Sequence, residues 1–89
     1  MERRGRLEIM RDILKIVQNN HKIKPTPLLR QSNISSSRFK EYFNEILNKK
    51  FIKEIKGNRD EKLIILTENG EKFLEKYKII INFIEEFEL

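Results

Sequence analysis

The chain has 89 residues, no cysteine and a formal charge of +5, so it makes one small domain without disulfide staples, thiolate metal sites or a cysteine nucleophile. At this length only about 60–65% of the unfolded surface is buried, which leaves a modest core, a use for a partner surface, and no room for a catalytic domain beside a binding one. The lack of cysteine fits a reducing, cytoplasmic setting. Met1 to Arg6 leads into a charged amphipathic pattern rather than a signal peptide, and no apolar run approaches the roughly 20 residues of a membrane span.

A first helix is expected from about Gly5 to Asn19. Leu7, Met10, Leu14 and Val17 recur every three or four residues, and Ile9, Ile13 and Ile16 widen the stripe enough to face two neighbours. Asn19-Asn20-His21 ends it, because Asn tolerates the left-handed backbone that closes helices. Ile23-Lys24 is a candidate short strand. Thr26 and Pro27 suit the N-cap and first position of a short second helix, Leu28 to about Ser32. Asn33-Ile34 makes a turn, and Ser35 or Ser36 caps a third helix reaching about Lys49, with Phe39, Phe43, Ile46 and Leu47 inward. Two β-rich runs, Phe51 to Lys56 and Lys62 to Leu66, flank Gly57-Asn58 and read as a hairpin. Thr67 then caps a last helix that runs to the end of the chain. The expected fold is mainly α with a small β-hairpin (α+β). Residues 1–66 form a head and residues 67–89 a helix continuous with it.

A short helix, a tight turn, a polar-fronted helix and a two-stranded hairpin follow one another in "TPLLRQSNISSSRFKEYFNEILNKKFIKEI" and "LIILTENGEKFLE". Their order and spacing resemble winged helix-turn-helix regulators, including an "LT-x-x-G" junction. More narrowly, the chain resembles the archaeal ten-kilodalton winged-helix proteins that dimerise through a C-terminal antiparallel coiled coil. Their opening "R-x-x-I-(x)3-IL" pattern is echoed by Arg6-Leu7-Glu8-Ile9 and Asp12-Ile13-Leu14. The resemblance implies a DNA-binding homodimer with a long C-terminal dimerisation helix. Lys50 departs from the pattern, since such families usually place a glycine there to end the recognition helix.

The charge distribution agrees with a polyanionic partner. Residues 1–66 carry 16 Lys/Arg against 8 Asp/Glu, whereas residues 67–89 carry 3 against 6. An A/T-rich codon bias would also raise the lysine content, but it does not explain why the excess stops at residue 66. In the third helix Arg38 is the leading base-reading candidate, because its planar fork pairs bidentately with guanine. Ser35, Ser36, Ser37, Lys40 and Asn44 are its neighbours on the outward side. One serine is needed as a cap, and the other hydroxyls let the helix end approach phosphates. Glu41 opposes this trend: it either pairs with a nearby lysine, the expected role, or accepts from a cytosine amino group. Around the hairpin tip, Lys56, Arg59 and Lys62 suit a phosphate backbone or minor groove, although Asp60 and Glu61 soften them toward an ordinary solvated turn. Arg3, Arg4 and Arg6 form a candidate basic arm.

In the last helix Phe73, Tyr77, Ile80, Ile84 and Phe87 step by 4, 3, 4 and 3, a heptad seam with Ile81 beside it. Leu74, Ile79 and Phe83 extend the apolar surface. A helix of about 22 residues outreaches the head, so a second copy is the economical cover. Folding back onto the first helix within a monomer is the alternative.

The partners expected are therefore double-stranded DNA and a second copy, with no membrane and no evident small-molecule ligand or cofactor. The main rival is a winged-helix protein-interaction module without DNA binding. Leu63 and Ile65 keep it open, because period-two alternation turns them outward. Single-stranded nucleic acid would need exposed aromatics, and only Tyr42 is available. His21, the sole histidine, has no carboxylate cluster to make a metal site. No glycine-rich phosphate loop or nucleophile–base pair suggests an enzyme.

Overall fold

The computed structural model describes residues 5–89. Its elements, in order, are α1 (Arg6–Asn20), β1 (Lys22–Ile23), α2 (Pro25–Ser32), α3 (Ser36–Asn48), β2 (Ile52–Lys56), β3 (Lys62–Leu66) and α4 (Glu68–Glu86). The expected order of helices and hairpin is present, with β1 adding a third strand to make an antiparallel sheet of order β1-β3-β2. The core joins Ile9, Met10, Ile13, Leu14 and Val17 of α1 to Ile23, Leu28, Phe39, Ile46, Ile52, Ile64 and Leu74. Every element thus contributes at least one buried apolar residue, and the wide stripe of α1 lies at the centre.

Several boundaries differ from the sequence expectations. The left-handed residue closing α1 is His21, with φ 65°, rather than an asparagine. Asn20 remains helical and its side-chain amide donates to the Ile16 carbonyl at 2.7 Å. The short strand is Lys22–Ile23 rather than Ile23-Lys24, because Ile23 pairs with buried Ile64 of β3 while Lys24 is already the extended residue before α2. That helix starts at Pro25, not after Thr26. Two prolines in its first turn cost nothing, since first-turn N–H groups have no partner within the helix. Asn33 takes the left-handed position of the following turn, as its side chain permits.

The hairpin also turns differently. Lys56 faces Lys62 across the ladder, and Gly57 N–H donates to the Glu61 carbonyl at 2.8 Å. Asn58, Arg59 and Asp60 therefore form a three-residue loop. Asp60, not the Gly57-Asn58 pair, adopts the positive φ of 59° that this loop class requires.

Helix α3 ends in two interlocked backbone hydrogen bonds: Lys50 N–H to Leu47 carbonyl at 3.0 Å and Phe51 N–H to Ile46 carbonyl at 3.1 Å. This Schellman arrangement demands a left-handed residue after the cap. Lys50 fills it with φ 62°, performing with an ordinary side chain the turn for which a glycine is usual. The sequence departure at Lys50 leaves the geometry of the exit intact.

Helix α4 spans 19 residues, roughly 28 Å, and gives the molecule an elongated outline of 49 × 29 × 21 Å. Its first half is bound to the head. Leu74 is buried, the Phe73 ring lies 5.0 Å from Phe51, and the Arg11 guanidinium sits 5.6 Å above the Tyr77 ring. Its second half exposes Ile79, Ile80, Phe83 and Phe87. No helix among the described residues is long and apolar enough to cross a membrane.

Candidate nucleic-acid interface

Helix α3 is positioned by its inward residues. Phe39 and Ile46 are buried, and Tyr42, Phe43 and Leu47 pack against the same core. The opposite side is left to solvent: Ser36, Ser37, Arg38, Lys40, Glu41, Asn44 and Asn48 are all exposed. Ser35 is the N-cap, its hydroxyl accepting from Arg38 N–H at 3.3 Å. Of the three serines, one therefore serves the helix. Ser37 lies 3.4 Å from the Ser35 hydroxyl, and Ser36 keeps an outward hydroxyl beside the unpaired N–H groups of the first turn. The positive end of a helix dipole is directed through this region.

The cations of α3 are not consumed by the fold. Arg38 and Lys40 make no ion pair among the described residues. Arg6 behaves differently from the basic arm it was expected to join. It is the first residue of α1 and pairs with Glu45 of α3, so its charge is spent on tying two helices together. Arg3 and Arg4 lie outside the described residues. Glu41 was expected to pair with a lysine, yet it too makes no ion pair among the described residues. The positions four residues away, Ser37 and Glu45, offer no cation, and Arg38, three residues earlier, forms no ion pair with it.

In the hairpin Lys56 and Lys62 are directly opposite each other, a like-charge pairing that is unfavourable in isolation. Glu54 relieves one of them, its carboxylate lying 3.2 Å from Lys62 Nζ. Lys56 and Arg59 have no such partner among the described residues, and Asp60 and Glu61 form no ion pair with them. The formal charges of the tip thus balance, Lys56, Arg59 and Lys62 against Glu54, Asp60 and Glu61, but Lys56 and Arg59 stay outside any ion pair among the described residues.

The outer face of the sheet tests the apolar patch expected at Leu63 and Ile65. Alternation turns both outward as predicted, but each is only half exposed. Ile55 stands across from Leu63, while Lys22 and Lys53 flank Ile65 on its two neighbouring strands. The sequence does not single out Lys22 and Lys53, because nothing in it shows which strands will be neighbours.

Two helices joined at a left-handed asparagine, a second helix with a solvent-facing polar front, and a hairpin leaving that helix through a tight turn form a recognisable unit. Residues 3–85 match the winged helix-turn-helix family. The chain belongs to that family.

Among solved structures, this winged helix-turn-helix protein is similar to Sso10a-2, a DNA-binding protein from Sulfolobus solfataricus. The two are 24% identical with a TM-score of 0.75, over 94% of this chain and 85% of the other. It is also similar to F-93 of SSV1, at 24% identity and TM-score 0.67, covering 89% of this chain and 91% of that one. F93 from STIV, a winged-helix DNA-binding protein, matches at 19% identity and TM-score 0.68 with the same coverage, 89% and 91%. No curated protein matches the chain. In family terms α2 and α3 are the helix-turn-helix, the β2–β3 hairpin is the wing, and α4 follows it.

The expected dimer residues divide into two groups. Phe73 and Tyr77 have partners inside their own head, as described above, and Ile81 and Ile84 are half-buried. Ile80 and Phe87 are exposed, as are Ile79 and Phe83, which the heptad reading placed beside the seam. The signal that marks this second pair is the four-residue step Ile79, Phe83, Phe87, along which the rings of Phe83 and Phe87 meet at 4.9 Å, tilted by 48°. Among the described residues no group of His, Cys, Asp or Glu could hold a metal ion. His21 is an exposed helix-ending residue.

Proposed function

We propose that this protein binds double-stranded DNA as a homodimer, with the N-terminal half of α3 in the major groove and the wing against the backbone or minor groove. The observation that carries the reading is the combination of an unspent polar and cationic front on α3 with a wing on which Lys56 and Arg59 make no ion pair among the described residues. Such a wing is better satisfied by a polyanion than by water alone, because phosphate neutralisation releases condensed counterions. The major groove admits one α-helix and displays a distinct pattern for each base pair. Ser36, Ser37, Arg38, Lys40 and Asn44 face it in this reading, Ser35 caps the helix at the phosphates, and Lys56, Arg59 and Lys62 follow the backbone. Two of the similar structures belong to DNA-binding proteins, which supports the same class of partner.

The dimer joins α4 to α4. An exposed apolar arc of Ile79, Ile80, Phe83 and Phe87, prolonged by Leu89, lies where the head cannot reach. A second copy covers it by symmetry, burying Ile80, Ile81, Ile84 and Phe87 at the interface. Phe73 and Tyr77 would border that interface while remaining seated in their own head. Regulators and chromatin-type architectural proteins share this chemistry, and the strength of sequence preference separates them.

The test is a titration of a labelled duplex followed by anisotropy at several salt concentrations. Binding is expected to weaken steeply with salt, with a log–log slope of about 0.9 per phosphate contacted. Folded protein that fails to bind any duplex at low salt would overturn the reading.

A further inference from the structure

We propose that Glu41 is a specificity residue, selecting a cytosine in the major groove by accepting a hydrogen bond from its N4 amino group. The inference rests on the DNA reading above and deepens it.

The first argument is directional. Phe39, Tyr42, Phe43, Ile46 and Leu47 together define the inward side of α3, because all five pack into the core. With about 100° of rotation per residue, the opposite direction passes closest to Glu41 and Asn48, with Ser37 and Asn44 beside them. Arg38 and Lys40 lie roughly 70–90° to either side of that line. The carboxylate thus occupies the middle of the helix front, and the two cations occupy its flanks. In a helix lying in a groove the middle meets the base edges directly, while long flanking side chains such as Arg38 and Lys40 reach the outer base edges or the phosphate walls.

The second argument is electrostatic. The helix carries two carboxylates. Glu45 is neutralised within the protomer by Arg6. Glu41 is exposed and unpaired among the described residues. A free carboxylate approaching a duplex is repelled by its phosphates unless the groove floor supplies a donor. In the major groove only the cytosine N4 and adenine N6 amino groups donate. Adenine places its N7 acceptor next to that amino group, which repels a carboxylate, whereas cytosine has no acceptor there. The position therefore favours cytosine and penalises guanine and thymine. Ser37 and Asn44, about one turn away on either side, are placed to contact the adjoining base pairs.

The experiment is a selection from a randomised duplex library with the wild-type protein, repeated with Glu41→Ala and Glu41→Gln. Dissociation constants are then measured on the selected site and on the same site with its enriched C·G pair changed to T·A. All three proteins are first compared by circular dichroism melting, which an exposed substitution should leave unchanged. The wild type should enrich a cytosine at one position and lose on the order of tenfold in affinity on the change to T·A. Glu41→Ala should lose that discrimination while binding unrelated duplexes at least as tightly, and Glu41→Gln should move the preference toward adenine. An Ala variant that keeps the wild-type preference, or one that gains affinity equally on every sequence from a wild type with no cytosine preference, would overturn the proposal. Failure of the wild type to bind any duplex is seen before a variant is compared. It would remove the DNA reading itself, and this proposal with it.

Discussion

The hydroxyl of Thr67 donates to the backbone carbonyl of Lys50, 17 residues earlier, and accepts from Gly70 N–H at 3.1 Å. One side chain thus caps α4 and ties its start to the exit turn of α3. Thr67 N–H adds a bond to the Phe51 carbonyl at 3.0 Å. Helix α3 and the helix that extends from the head are thereby held at one joint.

Replacing Thr67 by Val keeps the branched shape and removes both hydroxyl bonds. We expect a loss of about 1–2 kcal/mol, seen as a thermal midpoint lower by roughly 4–8 °C per kcal/mol. Thr67→Ser should retain most of the stability. Equal melting of the Val variant and wild type would show that the joint is held by packing alone.

Lys50 adopts a left-handed backbone at which its Cβ is a steric burden. Lys50→Gly should therefore stabilise the protein by about 0.5–1 kcal/mol, the relief of strain exceeding the extra entropy of the unfolded glycine. A urea titration reads this as a higher midpoint with an unchanged slope. A lower midpoint would mean that the lysine side chain contributes more than its backbone costs.

Gly70 has no positive φ, so on propensity alone Ala would improve α4 by about 1 kcal/mol. The joint forbids it. A Cβ at Gly70 would stand 2.2 Å from the Phe51 carbonyl oxygen and 2.6 Å from Leu66 Cδ1. The backbone atom cannot step aside without opening the turn after α3, so Gly70→Ala should destabilise by about 1–3 kcal/mol. The urea midpoint checks the sign, and stabilisation would refute this account of the junction.

In the wing, Lys56→Ala combined with Arg59→Ala should weaken binding to unrelated duplexes alike. The salt slope should fall by about 1.8 if both contact phosphates. A loss confined to one selected sequence would instead assign Arg59 to base edges in the minor groove.

For the dimer, Ile80→Glu with Phe83→Glu places charge on side chains that are 57% and 53% exposed in the protomer. Sedimentation velocity should find the wild type at twice 10.8 kDa and the variant at the protomer mass, with the melting of the head little changed. A monomeric wild type would sink the dimer reading.

The order of elements, the wide stripe of α1, a cap at Ser35 or Ser36, the cap at Thr67 and the split between basic head and acidic tail are all legible in the amino-acid sequence. These are local signals, set by periodicity and by the hydrogen-bonding reach of a residue and its near neighbours. Even the "LT-x-x-G" junction was legible as a pattern. Its reason was not: Gly70 is required by a carbonyl 19 positions away in the chain, and Thr67 by one 17 away. The same limit governed the candidate site. Nothing local shows that Arg6 would be spent on Glu45, that Glu41 would keep its charge free, or that Phe73 would be seated on Phe51. Each outcome depends on which distant surfaces meet, and helical or strand periodicity gives the face of an element without giving its partner. Only the packed structure decides which charges and apolar residues the fold consumes, and those it leaves over are what the protein has available for binding.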